Sequence, residues 1–322
     1  MMPNKDESMK GAQPPEASQA QQCLTLMFNV FSTLTIITAN KACFARVTFN
    51  FPTMLSALHY AVTWIGLDLM RRWKFFDAMG QRPSLLEPQY CLMMVAMAAV
   101  TPLNNMSLKL NSIGSYHMFK LLAIPFVVLL EYCLDRSKTL SSRRAAALVL
   151  VCIGAVYSSH ADLSFSRDGS LVAAVWLPLS AIYKVQWSRT LARYNCTTPQ
   201  MLYSLLPRAM LLQLLLCPLV DPAGFWEFKW TVEATCWILL SAFAAFFVNL
   251  SGFLVLADIN ALAHILLGQL KSCSSIMISY WMFDTSYNQQ QLFGATIAAF
   301  GVCYYTYATT SDQTRRQKVA AD

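Results

Sequence analysis

Charged residues are scarce in this chain: they make up 13% of its 322 residues, against about 25% in ordinary soluble domains. Hydrophobic residues make up 56%. Apolar runs near twenty residues recur along the sequence, which is the length needed to cross about 30 Å of hydrocarbon as a helix. Soluble cores are built from shorter elements, so the chain is predicted to be embedded in a membrane.

Metal-binding and disulfide patterns are missing as well. The ten cysteines show neither a C-x-x-C pair nor another metal-ligand spacing, and most of them lie inside apolar runs. They are interpreted as small hydrophobic residues. We find no acid–base pair or metal cluster of the kind an enzyme needs, so no enzyme activity and no cofactor are predicted.

The first 22 residues lack the apolar core of a signal peptide and the arginine-rich, acid-poor character of a transit peptide. They are rich in Gln, Pro, Ala and Ser, and they contain Asp6, Glu7 and Glu16. We predict a disordered cytosolic tail over 1–22. Its composition argues against a plastid or mitochondrial address.

Ten apolar segments are predicted to span the membrane as helices. Their approximate bounds are 23–44, 52–70, 89–108, 113–133, 144–161, 170–188, 200–220, 234–257, 260–283 and 289–309. The connecting loops are short, and the longest, 71–88, cannot hold a folded domain. The predicted fold is an all-α polytopic membrane protein whose function is performed within the bilayer.

Basic residues alternate between the two sides of this topology. One side carries fifteen of the 24, namely Lys5, Lys10, Arg71, Arg72, Lys74, Arg82, Arg136, Lys138, Arg143, Arg144, Arg189, Arg193, Arg315, Arg316 and Lys318. The opposite loops carry Arg46, Arg167 and Lys229, with Lys109 at a boundary. The positive-inside rule therefore places both termini in the cytosol, and it accounts for the net charge of +7 without a nucleic-acid partner.

Ten spans divide into two halves of five, 23–161 and 170–309, followed by a cytosolic C-terminal tail over 310–322. An odd number of helices per half would invert the second half in the bilayer. Short similarities support a duplication: N-M-S at Asn105 precedes Lys120, and N-L-S at Asn249 precedes Lys271. Two inverted halves around a midplane site are the usual architecture of secondary transporters.

Six basic residues lie in or at the ends of spans: Lys41, Lys109, Lys120, Lys184, Arg208 and Lys271. A charge at the centre of a membrane helix costs about 2.5–3.5 kcal/mol. Residues near helix ends avoid this cost by snorkelling, that is, by extending the charged group to the membrane surface. Lys109 and Lys184 are interpreted in this way, and for Lys41 the interpretation stays open. Lys120 and Lys271 are deeper, and the sequence places no acidic residue at their depth.

A counter-ion for these two lysines would have to arrive with a substrate. This points to an anion, and above all to a phosphate. An empty site could not close around unpaired charges without a desolvation cost of several kcal/mol per ion, whereas a loaded site could. The hypothesis is therefore a carrier that favours exchange over leak.

Polar residues recur at helical spacing beside the two lysines, in three sets: Ser112 and Tyr116; Asn260, His264 and Ser275; Asn29, Thr33 and Asn40. They are predicted to line a hydrophilic cavity. The alternative stays open that intramembrane Ser, Thr and Asn only join helices, and that His117 and His264 are packed neutral side chains.

Several stretches resemble the triose-phosphate and nucleotide-sugar translocators of the drug/metabolite transporter superfamily. They are N-M-S-L-K-L-N-S-I-G-S-Y-H-M-F-K-L-L-A-I-P (105–125), N-L-S (249–251), N-A-L-A-H-I-L-L-G-Q-L-K (260–271), F-D (283–284) and G-A-T-I-A-A-F-G-V-C-Y-Y (294–305). Within this family the chain is similar to carriers of the solute carrier family 35 member E3 type and related plant Golgi carriers.

The resemblance implies ten helices in two inverted halves, and exchange of a cytosolic nucleotide sugar for a lumenal nucleoside monophosphate in the Golgi or ER. It matches Lys120 and Lys271 to the family's lysines of the fourth and ninth helices. Gly268 and Lys271 fall at a G-x-x-x-K-like element that is one residue shorter here. His117 stands where close relatives often have Gln, and Asn260 replaces a common Ser. Ser272 replaces the second basic residue of the plastid phosphate clamp, which argues against a plastid phosphosugar carrier.

The candidate substrate-binding residues are Lys120, Lys271, Tyr116, His117, Asn249, His264, Gly268, Asn40, Lys41 and Arg208. The expected partners are the nucleotide sugar, the nucleoside monophosphate and the lipid bilayer, with a homodimer left open. One alternative function is exchange of another phosphorylated or organic anion. Two others are a membrane-embedded transferase and a non-transporting relative.

Overall fold

The computed structural model describes residues 19–80, 83–84, 87–134, 140–162, 166–258, 271–272, 274–275, 277–278, 281–283 and 288–321. These residues contain long helices and no β-strand. The helices are α1 (Gln19–Ala45), α2 (Pro52–Arg72), α3 (Pro88–Leu110), α4 (Ile113–Leu134), α5 (Ser142–His160), α6 (Arg167–Tyr194), α7 (Thr198–Val220), α8 (Val232–Asp258) and α9 (Gln289–Ala321), with a 3-10 turn at Phe225–Glu227. The all-α prediction is confirmed for this part of the chain.

Nine of the ten predicted spans coincide with these helices, and the ninth, 260–283, lies largely outside the described residues. Five helical stretches are long and apolar enough by themselves to cross a membrane. They are Cys23–Ala45, Pro88–Leu110, Ile113–Leu134, Thr198–Val220 and Val232–Gly252. Several membrane-crossing helices therefore follow from length and composition alone, while the count of ten stays a prediction.

Two predicted boundaries shift. Helix α1 begins at Gln19, inside the predicted tail 1–22, and α9 continues to Ala321, past the predicted end of its span at 309. Hydropathy marks where apolar residues stop, but a helix can continue in polar sequence. In α9 the hydroxyls of Thr310 and Thr314 donate to carbonyls one turn earlier, at 3.1 and 3.0 Å.

Several contacting pairs of helices run antiparallel, among them α3 with α6, α5 with α9 and α2 with α7, and they define two ends of the bundle. The carboxylate of Glu87, just before α3, pairs with Arg193 near the end of α6 at 2.8 Å. Arg144 at the start of α5 pairs with Asp312 of α9 at 3.1 Å. We call this end, where α1 begins and α9 finishes, the terminal end. The opposite end, which contains the end of α1 and the start of α2, is the far end.

Helices α5 and α9 approach so closely that glycine is required between them. A Cβ added to Gly154 would lie 2.3 Å from the backbone nitrogen of Ala298, and one added to Gly294 would lie 2.6 Å from that of Ser158. Real Cβ atoms do not approach a backbone this closely, so any side chain here would separate the two helices.

We therefore expect Gly154→Leu to destabilise the protein by about 1–3 kcal/mol through overpacking. Gly252→Ala in α8 is the matched control, because a Cβ at Gly252 meets nothing within 4 Å. Thermal unfolding of the purified variants measures the difference. Equal unfolding temperatures for Gly154→Leu and the wild type would contradict the close-approach argument.

Candidate functional site

Lys120 lies within the first half of α4, seven residues after Ile113. It is thus about 10 Å from the start of that helix, which lies at the far end of the bundle. Its ammonium group lies 4.4 Å from the ring centroid of Tyr116, one turn earlier. The Tyr116 hydroxyl donates to Oδ1 of Asn104 at 2.9 Å, and its ring stacks on Trp176 of α6 at 6.5 Å. The aromatic face stabilises the cation without supplying a negative charge.

Lys271 is held by a neutral amide. Its ammonium donates to Oδ1 of Asn29, and Nδ2 of Asn29 donates to the hydroxyl of Ser251 at 2.8 Å. Asn29 lies ten residues into α1, about 15 Å from the terminal end, so this chain of contacts joins α1, α8 and Lys271 deep in the bundle.

A third lysine joins these two. Lys184 of α6 and Lys271 both lie within electrostatic range of Lys120. We call Lys120, Lys184 and Lys271 the lysine cluster. Over the residues that the structure describes, none of the three forms an ion pair with a carboxylate.

The sequence interpretation missed Lys184, because its position ten residues before the end of α6 suggested snorkelling. Instead, Lys184 lines a cavity of about 280 Å³ between α6, α7 and α8, which we call the α6–α8 cavity. Its other lining residues include Tyr183, Trp187, Thr198, Asn249 and Gly252. Tyr183, Lys184 and Trp187 share one helical face, which is the signal that could have pointed to the cavity.

Asn249 and Thr198 place this cavity toward the terminal end. Thr198 is the first residue of α7, and Asn249 lies nine residues before the end of α8. The side-chain amide of Asn249 donates to the carbonyl oxygen of Ala245 at 2.9 Å, so its Oδ1 can accept a further hydrogen bond.

His117 lies beside the cluster and is 4% exposed. Its Nδ1 is 3.3 Å from the hydroxyl of Ser272, while its Nε2 is buried without a partner among the described atoms. The hydroxyl of Ser275, one turn after Lys271, is likewise buried and unbonded in the described structure. These atoms give the site polar contacts that are not already used.

Asn40 and Lys41 lie apart from the cluster, near the far end. Nδ2 of Asn40 donates to Oδ1 of Asn105 at 3.0 Å, and Ser241 donates to Oδ1 of Asn40. Lys41 donates to three carbonyl oxygens at the end of α3, those of Leu108, Lys109 and Asn111, at 3.0, 3.4 and 2.6 Å. These contacts give both side chains a role in joining helices, which is the alternative that the sequence left open for polar residues.

Arg208 also lies apart. It lines a different cavity, between α2 and α7, where its Nη1 donates to the hydroxyls of Tyr90 and Ser204, both at 3.0 Å. The remaining predicted residues, His264 and Gly268, lie outside the described residues. The structure thus brings together Lys120, Tyr116, His117 and Lys271, with Asn249 on the adjoining cavity.

The far end is closed by two features. The carboxylate of Asp221, which follows α7, accepts from the backbone nitrogens of Thr53 and Met54 at 2.9 and 2.8 Å. Beside it, four phenylalanines pack edge to face: Phe49, Phe51, Phe225 and Phe228. Opening of this end between α2 and α7 would require these contacts to separate.

Comparison with known proteins agrees with the all-α membrane architecture. The sequence model of the Triose-phosphate Transporter family matches residues 22–306. A solved crystal structure shares the fold with a TM-score of 0.61, at 15% identity, over 90% of this chain and 98% of that chain. At this identity the likeness shows the fold alone.

Three relatives from Arabidopsis thaliana match along most of their length. "Nucleotide-sugar uncharacterized transporter 1" is 33% identical, over 94% of this chain and 79% of that protein. "Nucleotide-sugar uncharacterized transporter 2" is 34% identical, over 94% and 76%. "UDP-xylose transporter 2" is 27% identical, over 88% and 80%.

The family and these relatives are transporters, which confirms the prediction that the chain is not an enzyme. Several apolar helices and the family match make it a multi-pass membrane protein. Since the family match covers most of the chain and two relatives exceed 30% identity, the chain belongs to the triose-phosphate transporter family.

Proposed function

We propose that this chain is an antiporter that exchanges a cytosolic nucleotide sugar for a lumenal nucleoside monophosphate across a Golgi or ER membrane. The observation that carries the proposal is the lysine cluster, three neighbouring cations without a carboxylate partner in the described structure. The names of the plant relatives supply the substrate class, because they refer to nucleotide sugars in general, UDP-xylose, and UDP-rhamnose or UDP-galactose.

The cluster suits a phosphate-bearing ligand. Ammonium groups bind phosphate oxygens through charge-assisted hydrogen bonds, which are roughly twice as strong as neutral ones. The diphosphate of a nucleotide sugar would engage Lys120 and Lys271, while Lys184 and Asn249 would contact the part of the ligand in the α6–α8 cavity. The buried Nε2 of His117 offers one further contact beside the phosphates.

Exchange follows from the same charges. Enclosing the empty cluster would cost several kcal/mol for each desolvated ion, so the unloaded carrier would reorient slowly. Either a nucleotide sugar or a nucleoside monophosphate would compensate the charges and permit closure. The site would therefore return loaded in both directions.

Two inverted halves over 23–161 and 170–309 remain part of the proposal, and helix packing supports them. Suppose that α1, α2 and α3 of the first half correspond to α6, α7 and α8 of the second. The contact between α1 and α8 should then have a symmetry-related counterpart, the contact between α6 and α3. Both pairs are in contact, as are α2 with α8 and α7 with α3. The helices α2 and α7, which would correspond to each other, also pack together.

We place the terminal end in the cytosol, with the tails 1–22 and 310–322. Basic residues that the structure describes near this end include Arg71, Arg72, Lys74, Arg144 and Arg193, which fits the positive-inside rule. In this orientation the α6–α8 cavity lies toward the cytosol and the closed far end lies toward the lumen. The conformation is then suited to receive a cytosolic substrate.

A phosphosugar or phosphate exchanger is the second candidate, and the family's description favours it. Ser272 argues against it, because a neutral hydroxyl beside His117 replaces a second basic residue next to Lys271. A small phosphosugar would also leave the α6–α8 cavity largely unfilled.

Counterflow in proteoliposomes separates the two candidates. Vesicles preloaded with a nucleoside monophosphate should take up labelled nucleotide sugar, and empty vesicles should take up little. Exchange of phosphosugars with no nucleotide exchange would overturn the leading proposal. Substantial uptake into empty vesicles would overturn the exchange mechanism, and crosslinking of the same vesicles would test for a homodimer.

Lys184→Ala is expected to raise the KM for the nucleotide sugar about tenfold. A buried charge-assisted contact contributes roughly 1.5–3 kcal/mol, and a contact at an accessible position such as that of Lys184 contributes less, so the lower part of this range applies. The kcat should change little, since Lys184 lines the cavity rather than the centre of the cluster. Lys184→Arg keeps the charge and is the matched control. An unchanged KM for Lys184→Ala would remove Lys184 from the site.

A further inference from the structure

A second cavity lies near the terminal end, between α2, α7 and residues 76–79 that follow α2. Its volume is about 420 Å³, and Arg71 and Arg208 both line it. Among the described residues it shares no lining residue with the α6–α8 cavity. We call it the α2–α7 cavity.

The Arg208 guanidinium forms no ion pair within the part of the chain that the structure describes. It lies ten residues into α7, about 15 Å from the start of that helix. The partners described for it are neutral: the hydroxyls of Tyr90 and Ser204 and a backbone carbonyl, all bound by Nη1. A guanidinium has five N–H donors and stays charged in proteins, so most of its hydrogen-bonding capacity is unused.

Two further donors on this cavity have no acceptor. The Nε of Arg71 and the indole Nε1 of Trp64 are both buried, and neither has a hydrogen-bond partner in the part of the chain that the structure describes. Both residues line the cavity. Because a buried N–H without an acceptor is unfavourable, a ligand atom that accepted from either group would stabilise it.

The walls indicate what else the ligand carries. The rings of Trp64 and Tyr203 stack at 5.9 Å, and the Arg71 guanidinium lies 4.7 Å from the Tyr203 ring centroid. Asp77 also lines the cavity, where a carboxylate suits a hydroxyl group rather than a second anion. The volume falls within the range of about 300–1,000 Å³ of small-molecule sites, so inorganic phosphate alone would leave most of it empty.

We propose that the α2–α7 cavity binds a phosphate monoester with a hydroxylated organic body, at a site separate from the lysine cluster. Arg71 and Arg208 hold the phosphate, the N–H of Trp64 donates to it, and Asp77 accepts from a hydroxyl of the body. The bound ester bridges α2 and α7 at the terminal end. This inference does not depend on which substrate the lysine cluster transports.

Two matched probes distinguish the sources of such an ester. Glycerol 3-phosphate is the soluble form and carries both the phosphate monoester and free hydroxyls, whereas phosphatidic acid presents the phosphate monoester on a lipid without a free hydroxyl. Binding is measured with the triple variant Lys120→Ala/Lys184→Ala/Lys271→Ala in phosphatidylcholine nanodiscs, so that the lysine cluster does not contribute. Glycerol 3-phosphate is added to the solution, and phosphatidic acid is added to the lipid.

Arg71→Gln and Arg208→Gln, each introduced into this background, are expected to weaken binding at least tenfold. Trp64→Phe removes only the N–H and should weaken it severalfold. Arg72→Gln is the matched control, because Arg72 pairs with Asp68 as Arg71 does, at 2.7 and 3.6 Å, but Arg72 is exposed and does not line the cavity. If Arg71→Gln or Arg208→Gln fails to fold, Trp64→Phe takes its place in the binding comparison, because the phenyl ring preserves most of the packing of the indole.

Binding of glycerol 3-phosphate supports a soluble ligand, and binding of phosphatidic acid alone supports a lipid. The proposal is overturned if neither probe binds. It is also overturned if Arg72→Gln weakens binding as much as Arg208→Gln does. Since the lysine cluster is disabled throughout, these outcomes are independent of nucleotide-sugar transport.

Discussion

Lys271→Ala and Lys120→Ala are each expected to reduce nucleotide-sugar counterflow at least about 100-fold. A charge-assisted hydrogen bond contributes roughly 1.5–3 kcal/mol, and 2.8 kcal/mol corresponds to a factor of about 100. The phosphate would also remain partly uncompensated while the carrier closes around it. Both binding and reorientation should therefore suffer.

Stability separates this role from a structural one. Lys120 lies within electrostatic range of Lys271 and Lys184, so its removal relieves repulsion between like charges. We expect Lys120→Ala to unfold at a temperature close to that of the wild type, although its transport is lost. A lysine that only stabilised the fold would show the opposite combination, with a lower unfolding temperature and residual counterflow.

Lys229→Ala is the matched control for both substitutions, because Lys229 is an exposed lysine in the far-end loop. It should transport like the wild type. Lys271→Arg keeps the charge and should retain more counterflow than Lys271→Ala. Normal counterflow in Lys120→Ala or Lys271→Ala would show that the lysine cluster does not carry the substrate charge.

The sequence predicted the helices and two of the three clustered lysines for one physical reason. Transfer into hydrocarbon depends on each residue's own polarity, so apolar runs and buried charges can both be recognised without a structure. Lys120 and Lys271 interrupt their apolar runs far from any end. The grouping of Lys120 with Tyr116 followed from helical spacing within α4 alone.

Partners contributed by other helices could not be predicted in this way. Lys41 and Lys184 both lie within long helices, but Lys41 meets the carbonyl end of α3 and Lys184 lines a cavity. Which of these occurs depends on the rotation of each helix about its axis, and that rotation is set by tertiary packing. For the same reason the sequence could not show that Asn40 and Arg208 lie apart from the lysine cluster.

Asp221→Ala is expected to favour opening of the far end by about 10–100-fold. Helix α2 has no side-chain cap of its own, since its N-cap residue is Phe51. The carboxylate of Asp221 supplies that cap from α7 by accepting from the nitrogens of Thr53 and Met54. Two charge-assisted bonds at a helix N-terminus together contribute several kcal/mol, part of which water replaces after opening.

The reactivity of Cys43 measures this opening. Cys43 is fully buried and packs with the phenylalanines that close the far end. In nanodiscs, with the other cysteines replaced, maleimide should label Cys43 about 10–100-fold faster in Asp221→Ala than in the wild type. Asp221→Asn can still accept one hydrogen bond, so its labelling rate should be intermediate.

Two controls exclude a general loosening of the bundle. Asp168→Ala removes another far-end carboxylate, which is exposed at the start of α6, and should not change the labelling of Cys43. Cys303 of α9, tested as the single remaining cysteine, should react equally in Asp221→Ala and in the wild type, because it lies outside the α2–α7 contact. Faster labelling of both cysteines, or of neither, would mean that Asp221 does not hold the far end closed. Faster labelling of Cys43 alone would identify the contact between Asp221 and the start of α2 as one that must break each time the far end opens.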